Sequence, residues 1–180
     1  MPIQLSRQWA MPSADTFDVP PIGDFVKKYL RQSKVSIDPF ARNKRWATYT
    51  NDLNPETAAE YHLDALEFLK MLKERGVVAD LVIFDPPYSV SQVKQCYEGI
   101  GLSVTQRDVS ALFYSDARNA ISEVVSVGGI VLSFGWSSVG LGATRNFKTE
   151  EIFLVCHGGA HNDTICMAER KMAHQERMFA

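Results

Sequence analysis

The chain has 180 residues, 46% hydrophobic and 22% charged, the balance of an ordinary globular protein with one domain, 1–180, and one sizeable core. Its 19 basic and 21 acidic residues give a formal charge of −2, which excludes a strongly basic nucleic-acid scaffold but leaves room for a local basic face. No apolar run reaches the roughly eighteen residues of a membrane span, and the amino terminus lacks a basic-then-apolar leader, so a cytoplasmic protein without membrane contact is expected.

Three cysteines, Cys96, Cys156 and Cys166, match neither a zinc spacing nor a disulfide framework, and no metal is expected. Two basic clusters, Arg42-Asn43-Lys44-Arg45 and Arg145 with Lys148, read as solvated loops or as patches for a polyanion.

Residues 1–20 show little periodicity. Trp9, Met11 and Phe17 suit a strap packed across the fold. Ile22, Phe25, Val26, Tyr29 and Leu30 share one helical face, and Pro20-Pro21 suits its start. Val35 to Asp38 reads as a short buried strand. Arg45 to Thr50 alternates as a second strand and ends at Asn51-Asp52. An acid just past a second strand is where nucleotide sites hold ribose hydroxyls, so Asp52 is a ligand candidate; it equally suits an Asx turn or cap ahead of Pro55-Glu56. Ala58 to Leu72 carries helical spacing.

Ala79 to Phe84 reads as a buried central strand, and Val90 to Tyr97 as a helix broken at Gly99 and Gly101. An irregular stretch precedes a helix from Ser115 to Val127, closed by Gly128-Gly129. Ile130 to Phe134 is a further buried strand, followed by a glycine-rich loop over 135–142. Glu151 to His157 and Thr164 to Ala168 pair around hairpin-turn residues, and 171–180 form a polar tail. Strands alternating with helices and closed by a hairpin specify an open, mostly parallel α/β sheet with helices on both faces.

Within this frame one stretch offers chemistry. Pro86 and Pro87 cannot extend a ladder, so the central strand stops at Asp85, at the sheet end where ligands bind in open α/β folds. The Asp85 carboxylate and the Pro86 carbonyl are two acceptors for an amino group. Tyr88 adds a flat face for a base, worth roughly 1–3 kcal/mol. Trp136 lies at the same sheet end, as a wall of that pocket or packed beneath its loop.

Asp85-Pro86-Pro87-Tyr88 resembles the catalytic tetrapeptide of the methyltransferases that act on N6 of adenine or N4 of cytosine. The resemblance covers roughly residues 9–170 and is nearest to small N6-adenine-specific DNA methyltransferases of phages and mobile elements. It implies a Rossmann-like class I fold and S-adenosylmethionine as cofactor. Asp38, Pro39, Phe40 and Ala41 match the head of that family's cofactor loop, but Arg42-Asn43-Lys44 stand where it has glycines. Asp64 and Ala65 match its Asp-Ala element, whose acid accepts from the cofactor's adenine. Trp9 and Met11 fall where such enzymes line the cofactor site. Tyr88, Ser89, Trp136 and Arg107 then face the target base.

The implied activity is methyl transfer to adenine N6 in DNA, from a base flipped out of the stack. The same features leave open an RNA adenine, a cytosine N4, or a binding subunit without activity. No segment reads as a separate target-recognition domain, which leaves recognition of a very short site, a partner subunit or a homodimer as the alternatives.

Overall fold

The computed structural model describes residues 2–106, 110–159 and 161–173. Among these, seven strands form one sheet: β1 (Gln4–Trp9), β2 (Ser36–Asp38), β3 (Tyr49–Thr50), β4 (Ala79–Phe84), β5 (Val125–Gly135), β6 (Phe147–Cys156) and β7 (Thr164–Lys171). Their spatial order is β1-β6-β7-β5-β4-β2-β3. β7 runs antiparallel to both β5 and β6, and every other pairing is parallel. The expected parallel sheet closed by a C-terminal hairpin is therefore the observed one, with β7 inserted between β5 and β6.

Four helices flank it: α1 (Pro20–Leu30), α2 (Ala65–Glu74), α3 (Val90–Glu98) and α4 (Ala111–Val124). The pleat of β4 divides the core in two. Leu81 and Ile83 pack with Ile22, Phe25 and Val26 of α1. Val82 and Phe84 pack on the other face with Phe68, Leu69 and Leu72 of α2 and Ala117, Ile121 and Val124 of α4. Successive side chains of a strand alternate faces, so one apolar run supplies both layers and β4 is covered on each side.

The boundaries differ from the sequence expectations for local reasons. The N-terminal segment is more than a strap: Gln4 to Trp9 pair in register with Glu151 to Cys156 and form an edge strand. All six of its residues are exposed, which leaves no burial pattern to read. The second strand is two residues long. Ahead of it, Thr48 and Ser36 bond through their side chains (Ser36 N to Thr48 Oγ1, 3.1 Å; Thr48 N to Ser36 Oγ, 2.9 Å) in place of a ladder. Trp46 packs on Phe17 at 5.9 Å between centroids.

α2 begins at Ala65, not near Ala58, because Asp64 caps it: its Oδ1 accepts from Leu66 N at 2.9 Å and Glu67 N at 3.4 Å. α4 ends at Val124 and the chain enters β5 directly. The Gly128-Gly129 pair lies inside β5, between its pairings Ala79↔Val125 and Leu81↔Ile130, where Gly128 takes φ +85°. A glycine pair that reads as a helix stop is here the irregularity that re-aligns a strand. β7 continues to Lys171, and residues 174–180 of the expected tail lie outside the described ones. No helix of the described residues is long and apolar enough to cross a membrane.

Candidate active site

β4 delivers Asp85 at its C-terminal end, and the next three residues turn across the top of the sheet. The turn is held from several sides. The Tyr88 hydroxyl donates to Oδ1 of Asp85. The Tyr88 amide donates to Gln92 Oε1 at 2.6 Å, and Gln92 N donates to Ser89 Oγ at 3.2 Å, so the first turn of α3 carries the tetrapeptide. The Tyr114 hydroxyl of α4 donates to the Pro87 carbonyl. The two prolines leave these side chains to supply the bonds a ladder would have made.

Burial pushes the Asp85 carboxyl up to about 6, while the hydroxyls of Tyr88 and Thr16 and the cation of Arg42 draw it back. Burial also raises Asp38 well above the usual carboxylate range, and the charges of Asp85 and Asp52 add to the rise. Asp38, Asp52 and Asp85 thus converge on one region. Burial raises Tyr88 as well, with the Asp85 charge beside it, so its hydroxyl stays a neutral donor.

Asn51, fully buried, ties the region together. Its Nδ2 donates to the carbonyls of Pro39 (3.2 Å) and Leu63 (3.0 Å), and its Oδ1 accepts from Leu63 N at 2.9 Å. One amide therefore joins the turn after β2 to the entry of α2. Asp52 accepts from Asn54 N at 2.9 Å and from Arg42 N at 3.0 Å. Arg42, where a glycine was expected, adopts φ +49°, so the loop keeps the conformation glycine favours while carrying a long side chain. Its guanidinium pairs with Asp15 and donates to Ala14 O at 2.9 Å.

Two cavities flank the tetrapeptide. The smaller, about 80 Å³, is lined by Pro39, Phe40, Asp52, Asp64, Ala65 and Pro87, with Leu63, Val93 and Phe113 among its apolar walls. The larger, about 230 Å³, takes in Pro86, Tyr88, Tyr114, Arg118, Ser133 and Trp136. The Tyr88 and Trp136 rings meet edge to face at 5.8 Å between centroids.

Most residues singled out in the sequence therefore come together at one sheet end. Asp38 and Ala41 are buried under the smaller cavity's loop rather than on its wall. Asp52 makes the Asx turn that was its alternative reading, Asp64 caps α2, and each also lines the cavity. Trp9 and Met11 correct an expectation: they are 61% and 67% exposed and line neither cavity, because β1 carries Trp9 to the sheet edge opposite Cys156. Thr16 and Asp15 are the N-terminal residues that act on Asp85. Ser89 caps α3 and does not line the larger cavity. Arg107 lies outside the described residues.

Each basic cluster is engaged within the fold in part, through Arg42 and Lys44 and through Arg145. Lys44 pairs with Asp18. Arg145 donates to Asn119 Oδ1 (2.7 Å), Leu141 O (3.0 Å) and Ser115 Oγ (3.2 Å). His157 bonds Ala10 O and Thr164 Oγ1, each at 2.9 Å, and so fastens the N-terminal segment to the hairpin.

No family model and no curated protein matches the chain. Solved structures do. SMU.776, solved in complex with SAH, superposes with a TM-score of 0.55 at 12% identity over 81% of this chain and 48% of its own. TrmN from Thermus thermophilus superposes at 0.55 with 14% identity, over 86% and 49%. The N-methyltransferase NodS from Bradyrhizobium japonicum WM9 superposes at 0.54 with 12% identity, over 87% and 99%. The chain spans about half the length of the first two. At such identities the likeness is one of fold: the mostly parallel seven-stranded α/β sheet is Rossmann-like, as in these three solved structures.

Proposed function

We propose that this protein is an S-adenosylmethionine-dependent methyltransferase that modifies N6 of adenine in DNA. The observation that carries the reading is the placement of the tetrapeptide between two cavities. Pro87 faces the smaller with Asp52 and Asp64, and Pro86 and Tyr88 face the larger with Trp136. The SAH held by SMU.776, a protein of like fold, supports the cofactor.

The wall chemistry of the smaller cavity suits the nucleoside end of such a cofactor, although its volume of about 80 Å³ holds only part of the molecule. Phe40, Leu63, Val93 and Phe113 offer apolar surface to a purine ring. Both amide bonds to Asp64 fall on Oδ1, so Oδ2 takes neither of them and suits the purine amine. Asp52 suits a ribose hydroxyl. When bound, the cofactor supplies an electrophilic methyl group. The chain's own task is to present the amine. Its lone pair is delocalised into the ring, which makes N6 a poor nucleophile. The Asp85 carboxylate and Pro86 carbonyl accept the two amine hydrogens and localise that lone pair. Tyr88 gives the ring its stacking face, and alignment in the cleft contributes the rest.

Extrusion of the base costs a few kcal/mol, less for a single strand. Dimerisation or a partner subunit would add DNA contacts. Incubation with methyl-labelled cofactor and DNA, then nucleoside analysis, is expected to yield N6-methyladenine. Label in cytosine, or only in RNA, would replace this substrate assignment. Asp85→Ala is expected to abolish transfer while leaving S-adenosylhomocysteine binding by calorimetry within about threefold, as for an interaction made with the substrate alone.

A further inference from the structure

Two buried polar atoms, on residues that line the larger cavity, have no role in the site so far. Arg118 Nε and Ser133 Oγ are both shut off from solvent, and among the described residues neither has a hydrogen-bond partner. They come from different elements. Arg118 lies in the middle of α4, and Ser133 lies in β5 opposite Phe84, the residue before Asp85. Both line the cavity that Pro86, Tyr88 and Trp136 line. The neighbouring carboxylate of Glu169 is already engaged by the amides of Leu141 and Gly142 at 2.6 and 3.1 Å. A buried donor left unpaired is costly, and it is expected where a ligand brings the missing acceptor.

Resting on the function proposed above, we infer that Arg118 and Ser133 are specificity-determining residues: they read an unprotonated ring nitrogen of the base whose amine meets Asp85. A guanidinium Nε–H only donates, so it demands an acceptor, and Ser133 can donate beside it. Adenine offers such acceptors, N1 and N7, on either side of its exocyclic amine. Guanine and thymine instead place an N–H next to their exocyclic oxygen, at N1 or N3, and a second donor there opposes Arg118; guanine keeps the N7 acceptor, so it is rejected only where Arg118 reads the N1 side. The amine is selected by acceptors from the turn after β4, and the ring by donors from α4 and β5.

The test measures binding of a labelled thymine-rich single strand with one central adenine, by fluorescence anisotropy. The same strand is measured with 1-deazaadenine, 7-deazaadenine or an abasic residue there. The wild-type protein is expected to favour adenine over the abasic strand, and one deaza substitution is expected to weaken binding about tenfold, the size of a hydrogen bond to a charged donor. In Arg118→Met that discrimination disappears while the preference over the abasic strand persists through stacking. Ser133→Ala, a near-isosteric change, lowers the same discrimination, and it decides alone if Arg118→Met is misfolded by circular dichroism. Equal binding of all three purines by wild type, or undiminished discrimination in the variants, overturns the roles of Arg118 and Ser133 and leaves the methyltransferase reading standing. No preference for adenine over the abasic strand overturns both.

Discussion

The Tyr88 hydroxyl donates to the Asp85 carboxylate three residues before it, so the ring proposed to stack on a base and the acid proposed to accept its amine hold each other in place. The bond favours the charged form of Asp85, which burial otherwise opposes. Tyr88→Phe keeps the ring and removes the donor, so the carboxyl is expected to rise above its value of about 6. The acid limb of the kcat/KM profile for methyl transfer then shifts to higher pH. Tyr88→Ala loses the stacking face, and kcat/KM is expected to fall roughly 10- to 100-fold at every pH. A profile unmoved in Tyr88→Phe would show that the hydroxyl does not govern the carboxylate.

The raised Asp85 carboxyl also has a stability consequence. Its folded value of about 6 exceeds the roughly 3.9 of an unfolded aspartate. Between about pH 4 and 6 the folded chain therefore binds more protons than the unfolded one, and stability falls as pH rises through that window. Above pH 6 the full cost of a buried charge remains, at most about 3 kcal/mol. Asp85→Asn removes the ionisation and keeps an acceptor for Tyr88. It is expected to be more stable than wild type in urea at pH 7.5, with the difference vanishing near pH 4. Equal midpoints at both pH values would contradict the raised carboxyl.

Asn51 is expected to matter beyond its small size. Its three bonds join Pro39, at the start of the cofactor loop, to Leu63, the residue before the Asp64 cap. Asn51→Ala leaves the Pro39 carbonyl and both polar groups of Leu63 without that partner, at about 2–4 kcal/mol. Calorimetry with S-adenosylhomocysteine is expected to show weakened binding even where the variant remains folded, because the two walls of the smaller cavity lose their common brace. Asn51→Asp keeps the acceptor for Leu63 N but loses both donated bonds and adds a buried carboxyl facing two carbonyls near Asp38 and Asp52, so a loss at least as large as that of Asn51→Ala is expected. A variant as stable as wild type would reduce Asn51 to a spectator.

The layers and the tetrapeptide were legible because they obey local rules. The Leu81-to-Phe84 alternation supplies both cores, Pro86-Pro87 ends the strand, and Gly158 at φ +85° turns the hairpin. The rest depends on contacts made at a distance. β1 buries no side chain, so nothing in its composition distinguishes an edge strand from a strap. Arg42 stands where the resembled loop has glycine, yet the amide bond to Asp52 and the pairing with Asp15 hold it at φ +49°. Ser133 did leave a signal: it is the one polar residue in the run Ile130 to Phe134. Arg118 left a comparable one, a long cation directly after the inward-facing Ala117. Neither signal could say which cavity it entered before α4 was placed beside β5.

Gly140 anchors the loop that carries Trp136. It sits at φ +54°, and a Cβ there would lie 2.2 Å from Glu169 Oε2. That carboxylate is buried and accepts from the amides of Leu141 and Gly142, while Arg145 holds the Leu141 carbonyl at 3.0 Å. Gly140→Ala forces Glu169 aside and strains the backbone at once, at a cost of about 2 kcal/mol or more. Glu169→Gln keeps the shape but offers one acceptor oxygen for two amides, and about 1 kcal/mol is expected. Both variants release Trp136 from its place against Tyr88, so the affinity for an adenine-bearing strand is expected to fall further than that for S-adenosylhomocysteine. Equal losses for the two ligands would mean that the loop serves the fold as a whole rather than the larger cavity.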